Sequence, residues 1–254
     1  MRVASDLIVS SRGELTVHVV AGFVDLGVDV FVTDRFGGVS ARPFDALNLG
    51  DHVGDDIDAV QENRRRVAQA VGVALGQLVI ARQVHGATVL DVTTSRSDLV
   101  GDALCTKESG LALAILVADC VPLALVDPEQ HLLTLVHAGW RGLASGVIAN
   151  ALAAYDQPKN VTAFIGPSIS KESYQVGPDV AQHFLAYEKA LQSDVKDRSR
   201  LDLRNVAIQQ LELAGVHSDN IICSREVTDG GELFYSDRSA RPCGRFGLVA
   251  KWSS

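Results

Sequence analysis

Residues 111–136 constrain the fold more than any other stretch of the chain. Three apolar runs, 111–118, 121–126 and 132–136, are each the length of one buried strand, and Asp127-Pro128-Glu129-Gln130 supplies a turn between the second and the third. The reactive residues collect where the runs break. Asp119-Cys120 follows the first run, and His137-Ala138-Gly139-Trp140-Arg141-Gly142 follows the third. Covered strands that end this way present their nucleophilic and metal-binding residues along one rim of a sheet, where open α/β layers usually keep their sites.

The flanking sequence reads as further strands at 14–21, 28–33, 78–82, 88–92, 161–165, 221–224 and 246–252. Helices are expected at 57–71, capped by Asp55-Asp56, and at 143–155, 179–191 and 203–214, the last closed by Gly215. Strands come first and helices mix in later, with no internal repeat and no Pro/Gly/Ser-rich linker. The expected fold is therefore α+β, a single domain over residues 1–254 built as a sandwich of mixed sheets with outer helices. A chain of 254 residues that is 47% hydrophobic buries a full core.

A net charge of −8 argues against nucleic acid or an anionic membrane as the main partner, although a local basic pocket can still bind a small anion. No apolar run approaches the roughly 20 residues of a membrane span, and the N-terminus lacks a signal-peptide core, so a cytoplasmic monomer or small homo-oligomer is expected.

Four cysteines lie far apart with no Cys-x-x-Cys, so no zinc knuckle or redox dithiol is written locally. Three residues at strand breaks are candidate metal ligands: His85, Cys120 and His137. Two imidazoles and a thiolate with a fourth position open make the donor set of a catalytic zinc. The same residues also read as a Cys–His nucleophile pair, as in an amide hydrolase acting on a cell-wall precursor. Asp119 either orients a histidine or is a solvated strand-end carboxylate. A multicopper cluster needs many imidazoles, whereas the chain has seven His, no His-x-His and Met1 as its only Met; a single copper is compatible.

Two arginines and a glycine complete the candidates. Arg64 falls inside the apolar stripe of the 57–71 helix, four after Val60 and three before Val67, so it either reaches the helix edge or meets an anion. Gly139 lets backbone approach a ligand closely, and Arg141 lies beside a strand–turn–helix unit, facing an anion or solvent.

Read together, Gly37-Gly38-Val39-Ser40, Asn48-Leu49-Gly50, Glu62-Asn63-Arg64-Arg65, Gln83-Val84-His85-Gly86, Ala118-Asp119-Cys120-Val121-Pro122, the His137–Gly142 motif and Ile165-Gly166-Pro167 closely resemble, in order, the laccase-domain family. That family was long labelled multicopper polyphenol oxidase and is now regarded as zinc-dependent purine nucleoside phosphorylases. The resemblance implies an α-β-β-α sandwich and a zinc ion, or copper in its place, on His85, Cys120 and His137. It implies phosphorolysis of adenosine, inosine, guanosine and methylthioadenosine, together with adenosine deamination. Arg64 matches a family active-site arginine and Asn48 a pocket residue. One departure stands near the C-terminus, where the family's Phe-Phe-Ser-Tyr-Arg-Arg and Thr-Gly-Arg are replaced by Phe234-Tyr235-Ser236-Asp237-Arg238-Ser239 and Cys243-Gly244-Arg245. Base preference, and this loop's part in lining the pocket, are left open by it.

Overall fold

In the computed structural model, residues 2–3, 7–96 and 98–253 are described. In chain order the first strands are β1 (Arg2–Val3), β2 (Ile8–Arg12), β3 (Leu15–Val19), β4 (Val28–Thr33), β5 (Leu78–Ile80), β6 (Val89–Asp91), β7 (Ala103–Thr106) and β8 (Ala112–Val117). The others are β9 (Val121–Asp127), β10 (Leu132–Ala138), β11 (Thr162–Ile165), β12 (Gln175–Val176), β13 (Leu191–Ser193), β14 (Ser199–Leu201), β15 (Ile221–Cys223) and β16 (Phe246–Trp252). The α-helices are α1 (Ile57–Ala70), α2 (Trp140–Ala144), α3 (Val147–Leu152), α4 (Pro178–Ala181) and α5 (Leu203–Leu213).

The strands form a seven-stranded sheet ordered β1-β15-β11-β9-β10-β7-β6, a six-stranded sheet ordered β2-β3-β4-β16-β8-β5, and a small sheet β12-β14-β13. Alternation along each strand explains how the large sheets stack. On β8, Leu113, Ile115 and Val117 point into the interface between the sheets, where they share a core with Ala124, Val126, Leu133, Leu135 and Phe164. The alternate residues Ala112, Ala114 and Leu116 point outward onto Val67 and Ala68 of α1. On the far side, Leu123, Leu125, Ala163 and Ile165 lie under Val147 and Ile148 of α3 and Val206 and Leu211 of α5. The layers are thus helix, sheet, sheet, helix, and both large sheets mix parallel with antiparallel pairs.

Three local expectations change. The helix over 143–155 is two short helices, because Gly146 adopts φ +80° and resets the chain between α2 and α3. The helix over 179–191 shrinks to α4 plus one 3-10 turn, Gln182–Phe184. Its apolar stripe of Val180, Ala181 and Phe184 covers little more than one turn, and the next residue, Leu185, is 77% exposed. On α1 the buried face is Val60, Asn63, Val67 and Ala68, while Ile57 is exposed. The buried Asn63 is hydrogen-bonded by its amide nitrogen to Ser40, Ala46 and Asn48. No helix among the described residues is long and apolar enough to cross a membrane.

Candidate metal centre

Sheet register brings the site together. In the order β9-β10-β7-β6, Cys120 immediately precedes β9, His137 lies near the end of β10, Asp102 immediately precedes β7, and the 83–87 loop leads into β6. Pairing of Ala138 with Val121 and of Val136 with Ala103 puts all four along one rim. The donor atoms of His85, Cys120 and His137 lie within 4.8 Å of one another. His137 is buried, Cys120 half-buried and His85 exposed. The two imidazoles meet edge to face, with ring centroids 4.8 Å apart and an interplanar angle of 79°.

The donors fit a zinc-type ion. Tetrahedral coordination asks for donor–donor spacings of about 3.5 Å, so the three atoms need close by only about 1 Å. Without an ion the charges are those of a thiolate beside a protonated imidazole, whose proton a bound ion would displace. Burial pushes the Cys120 thiol up, but the His137 charge and hydrogen bonds from both imidazoles outweigh it and bring the thiol below its ordinary range. His137 is pushed down by burial and up, more strongly, by Cys120 and Asp102. Burial raises Asp102, yet the His137 hydrogen bond and the loop amides hold its carboxyl below the usual carboxylate range. A lowered thiol keeps its thiolate as pH falls, until the pH passes its folded pKa. In metal-stripped protein we therefore expect iodoacetamide to label Cys120 with a midpoint at least about one unit below that of free cysteine. Cys105, pushed up to about 11 by burial and by Asp91, stays unlabelled. Mass mapping across a pH series checks this.

Both turns beside the donors are left-handed at non-glycine residues, with φ of +59° at His85 and +87° at Asp119. Asp119 is buried, and its carboxylate accepts the Thr228 hydroxyl at 2.6 Å and the Arg238 backbone N–H at 2.7 Å. It fixes the Cys120 turn; the carboxylate that orients a histidine is Asp102, bonded to His137 Nδ1 at 2.8 Å. Sequence reasoning missed Asp102 because β7 is only four residues long, and a lone carboxylate ahead of it gives no periodic signal.

The donors open into a cavity of about 510 Å³ whose walls include Trp140, Arg141, Tyr174, Arg198, Arg238 and Arg245. Arg141 and Arg238 are stacked over Trp140 and Tyr174, at 4.3 and 5.1 Å from the ring centroids. Gly139 touches the centre directly. A Cβ there would sit 2.9 Å from Cys120 Sγ and 3.1 Å from the His85 ring, although its φ of −72° and ψ of 169° suit any residue. We expect Gly139→Ala to keep the fold and lower metal affinity at least about 10-fold, the cost of disturbing a ligand's support, as measured by chelator competition.

Arg64 lies in an adjoining cavity of about 740 Å³ that shares His52, Gln83 and Leu116 with the first. Its Nε donates to the Leu49 carbonyl at 2.9 Å and a terminal nitrogen pairs with Asp51 at 3.1 Å. Asn48 is wholly buried behind the wall. Its amide oxygen accepts from Gly50 and Arg245, and its nitrogen donates to Gly50 and Asp55. The structure thus gathers His85, Cys120, His137, Gly139 and Arg141 at one cavity, sets Arg64 in the next, and uses Asn48 to hold the loop carrying Arg245. The divergent C-terminal loop lines the first cavity through Asp237, Arg238, Arg241 and Arg245.

Comparison with known proteins identifies the family. A protein of Streptomyces coelicolor named purine nucleoside phosphorylase is 39% identical over 223 residues, covering 84% of this chain and 90% of its own length. Escherichia coli YfiH, also named purine nucleoside phosphorylase, is 35% identical over 225 residues, or 86% of this chain and 91% of its own. The crystal structure of YlmD from Geobacillus stearothermophilus superposes with a TM-score of 0.91 at 31% identity, covering 98% of this chain and all of that one. The Bacillus licheniformis protein YfiH superposes with a TM-score of 0.89 at 29% identity, covering 96% of this chain and 99% of that one. The family model described as multi-copper polyphenol oxidoreductase laccase matches residues 29–252, and the chain belongs to that family.

Proposed function

We propose that the protein is a zinc-dependent purine nucleoside phosphorylase. It transfers the ribosyl group of adenosine, inosine or guanosine to phosphate, cleaves methylthioadenosine in the same way, and deaminates adenosine as a second activity. The observation that carries the reading is a two-imidazole, one-thiol donor set in the wall of an arginine-lined cavity. Guanidinium groups in the cavity wall suit a phosphate co-substrate, which takes charge-assisted and bidentate hydrogen bonds from them. The names of the relatives support the same reaction.

His85, Cys120 and His137 would hold the ion, with zinc the first choice and copper an alternative. When bound, it supplies a Lewis acid beside the substrate. The chain's own groups do the positioning. Arg64, with one edge fixed on Leu49 and Asp51, keeps N–H donors for phosphate. Arg141, its guanidinium over the Trp140 ring, lines the cavity. Cleavage of the glycosidic bond builds positive charge on the ribose, so an oxyanion fixed beside C1′ stabilises the transition state and is already in line to capture it. Gly139 leaves room for that close approach. The family's oxidase label fits less well. Among the described residues His85, Cys120 and His137 form the one such donor cluster, and His18, which is hydrogen-bonded to Asp34, lies outside it.

A second reading rests on the lowered Cys120 thiol, which suits a nucleophilic amide hydrolase. Product analysis separates the two. Adenosine is incubated with and without phosphate, and metal content is measured on the same sample. Adenine and ribose 1-phosphate should appear only with phosphate and in proportion to bound metal. Adenosine left intact beside phosphate and a fully loaded site would sink the proposal.

A further inference from the structure

We propose that Asp102 is the positioning residue of the metal centre, one carboxylate that sets the attitude of both imidazole ligands. The inference rests on the metal reading above. Asp102 is wholly buried, and five hydrogen bonds converge on it. Oδ1 accepts the His85 backbone N–H and His137 Nδ1–H, both at 2.8 Å. Oδ2 accepts the amides of Gly86 at 2.7 Å and Val84 at 3.2 Å. The Asp102 carbonyl takes the His137 backbone N–H at 2.7 Å.

Each bond has a consequence for an ion. A carboxylate crowded by N–H donors only accepts, so the shared proton sits on His137 Nδ1 and Nε2, turned toward Cys120, is the ring nitrogen that would face an ion. The three successive amides of residues 84–86, gathered on one side chain, hold the left-handed turn from which His85 projects. Removing the carboxylate would let that turn relax and would free the His137 ring to change tautomer. Asp119, the acidic neighbour of Cys120, bonds Thr228 and Arg238 rather than either imidazole.

The competing view is that Asp102 merely caps a buried loop. Asp127 provides the control. It is also buried, it also accepts successive loop amides, those of Glu129 and Gln130, and it lies at the opposite end of β9 from Cys120. The full-length wild type, Asp102→Asn and Asp127→Asn are compared by zinc affinity (competition with a chromophoric chelator), by the absorption spectrum of the cobalt-loaded protein, and by thermal unfolding without metal. In Asp102→Asn the amide nitrogen faces the amides of Gly86 and Val84, donor against donor. We expect Asp102→Asn to bind zinc about 10- to 100-fold more weakly and to change the cobalt spectrum. Asp127→Asn should lose stability but keep the wild-type affinity and spectrum. Should Asp102→Asn fail to fold, Asp102→Glu retains charge and acceptors while shifting them by one methylene, and should show the same weakening. A folded Asp102 variant with wild-type affinity and spectrum overturns the assignment alone. A wild-type protein that binds no zinc overturns the metal reading beneath it.

Discussion

Cys120→Ala and His85→Ala should each give a folded chain with neither bound metal nor the proposed phosphorolysis. Both replaced side chains are ligand atoms in the proposed centre, and losing support behind a ligand already costs about 10- to 100-fold in affinity. Losing the ligand itself costs more, and two remaining donors do not hold an ion against ordinary competition. The fold tolerates both changes. His85 is exposed on a loop, and Cys120 is a half-buried turn residue at the strand rim. His137→Ala is a poorer probe, because it strands the buried Asp102 without its imidazole partner, at a cost of about 1–3 kcal/mol. Elemental analysis, product chromatography and circular dichroism on the same preparations decide the matter. Full phosphorolysis in either metal-free variant would refute the zinc reading.

Phe164→Ala should lower stability by about 3–5 kcal/mol and leave the candidate metal centre intact. Phe164 is fully buried on β11 between the two large sheets, edge-on to Phe23 at 6.4 Å between centroids and 78° between planes. Its strand partners are Ala124 on β9, too small to fill the gap, and Ile222 on β15, the one large neighbour along the sheet. For a chain of this length the loss corresponds to a fall in Tm of about 2–4 °C per kcal/mol. Calorimetry on wild type and variant measures it, with metal content as the control. A loss under about 1 kcal/mol would mean that the sheets close over the cavity.

Much of the architecture is legible in the sequence because the central strands are covered on both faces. Residues 111–118, 121–126 and 132–136 read as strands and fold as β8, β9 and β10 within a residue or two. Helices 57–71 and 203–214 are equally plain: Asp56 caps the first and Gly215, at φ +98°, closes the second, both as expected. What fails is short or set by its surroundings. The 175–201 segment carries too little apolar stripe for a long helix and folds partly as a small three-stranded sheet. At the site, the two histidines and the cysteine were visible as residues at strand breaks, yet only the register between β9, β10 and β7 makes them neighbours. Asp102 was invisible for the same reason, because its partners lie sixteen to eighteen positions upstream and thirty-five downstream.

The left-handed backbone at His85 has a bearing on engineering. A non-glycine residue there costs about 1–2 kcal/mol, which glycine escapes. A library selected only for heat tolerance should therefore enrich glycine or asparagine at position 85, and its winners would be robust but inert. Any effort to harden this protein has to screen for turnover in the same round, or it will breed out a ligand of the proposed centre.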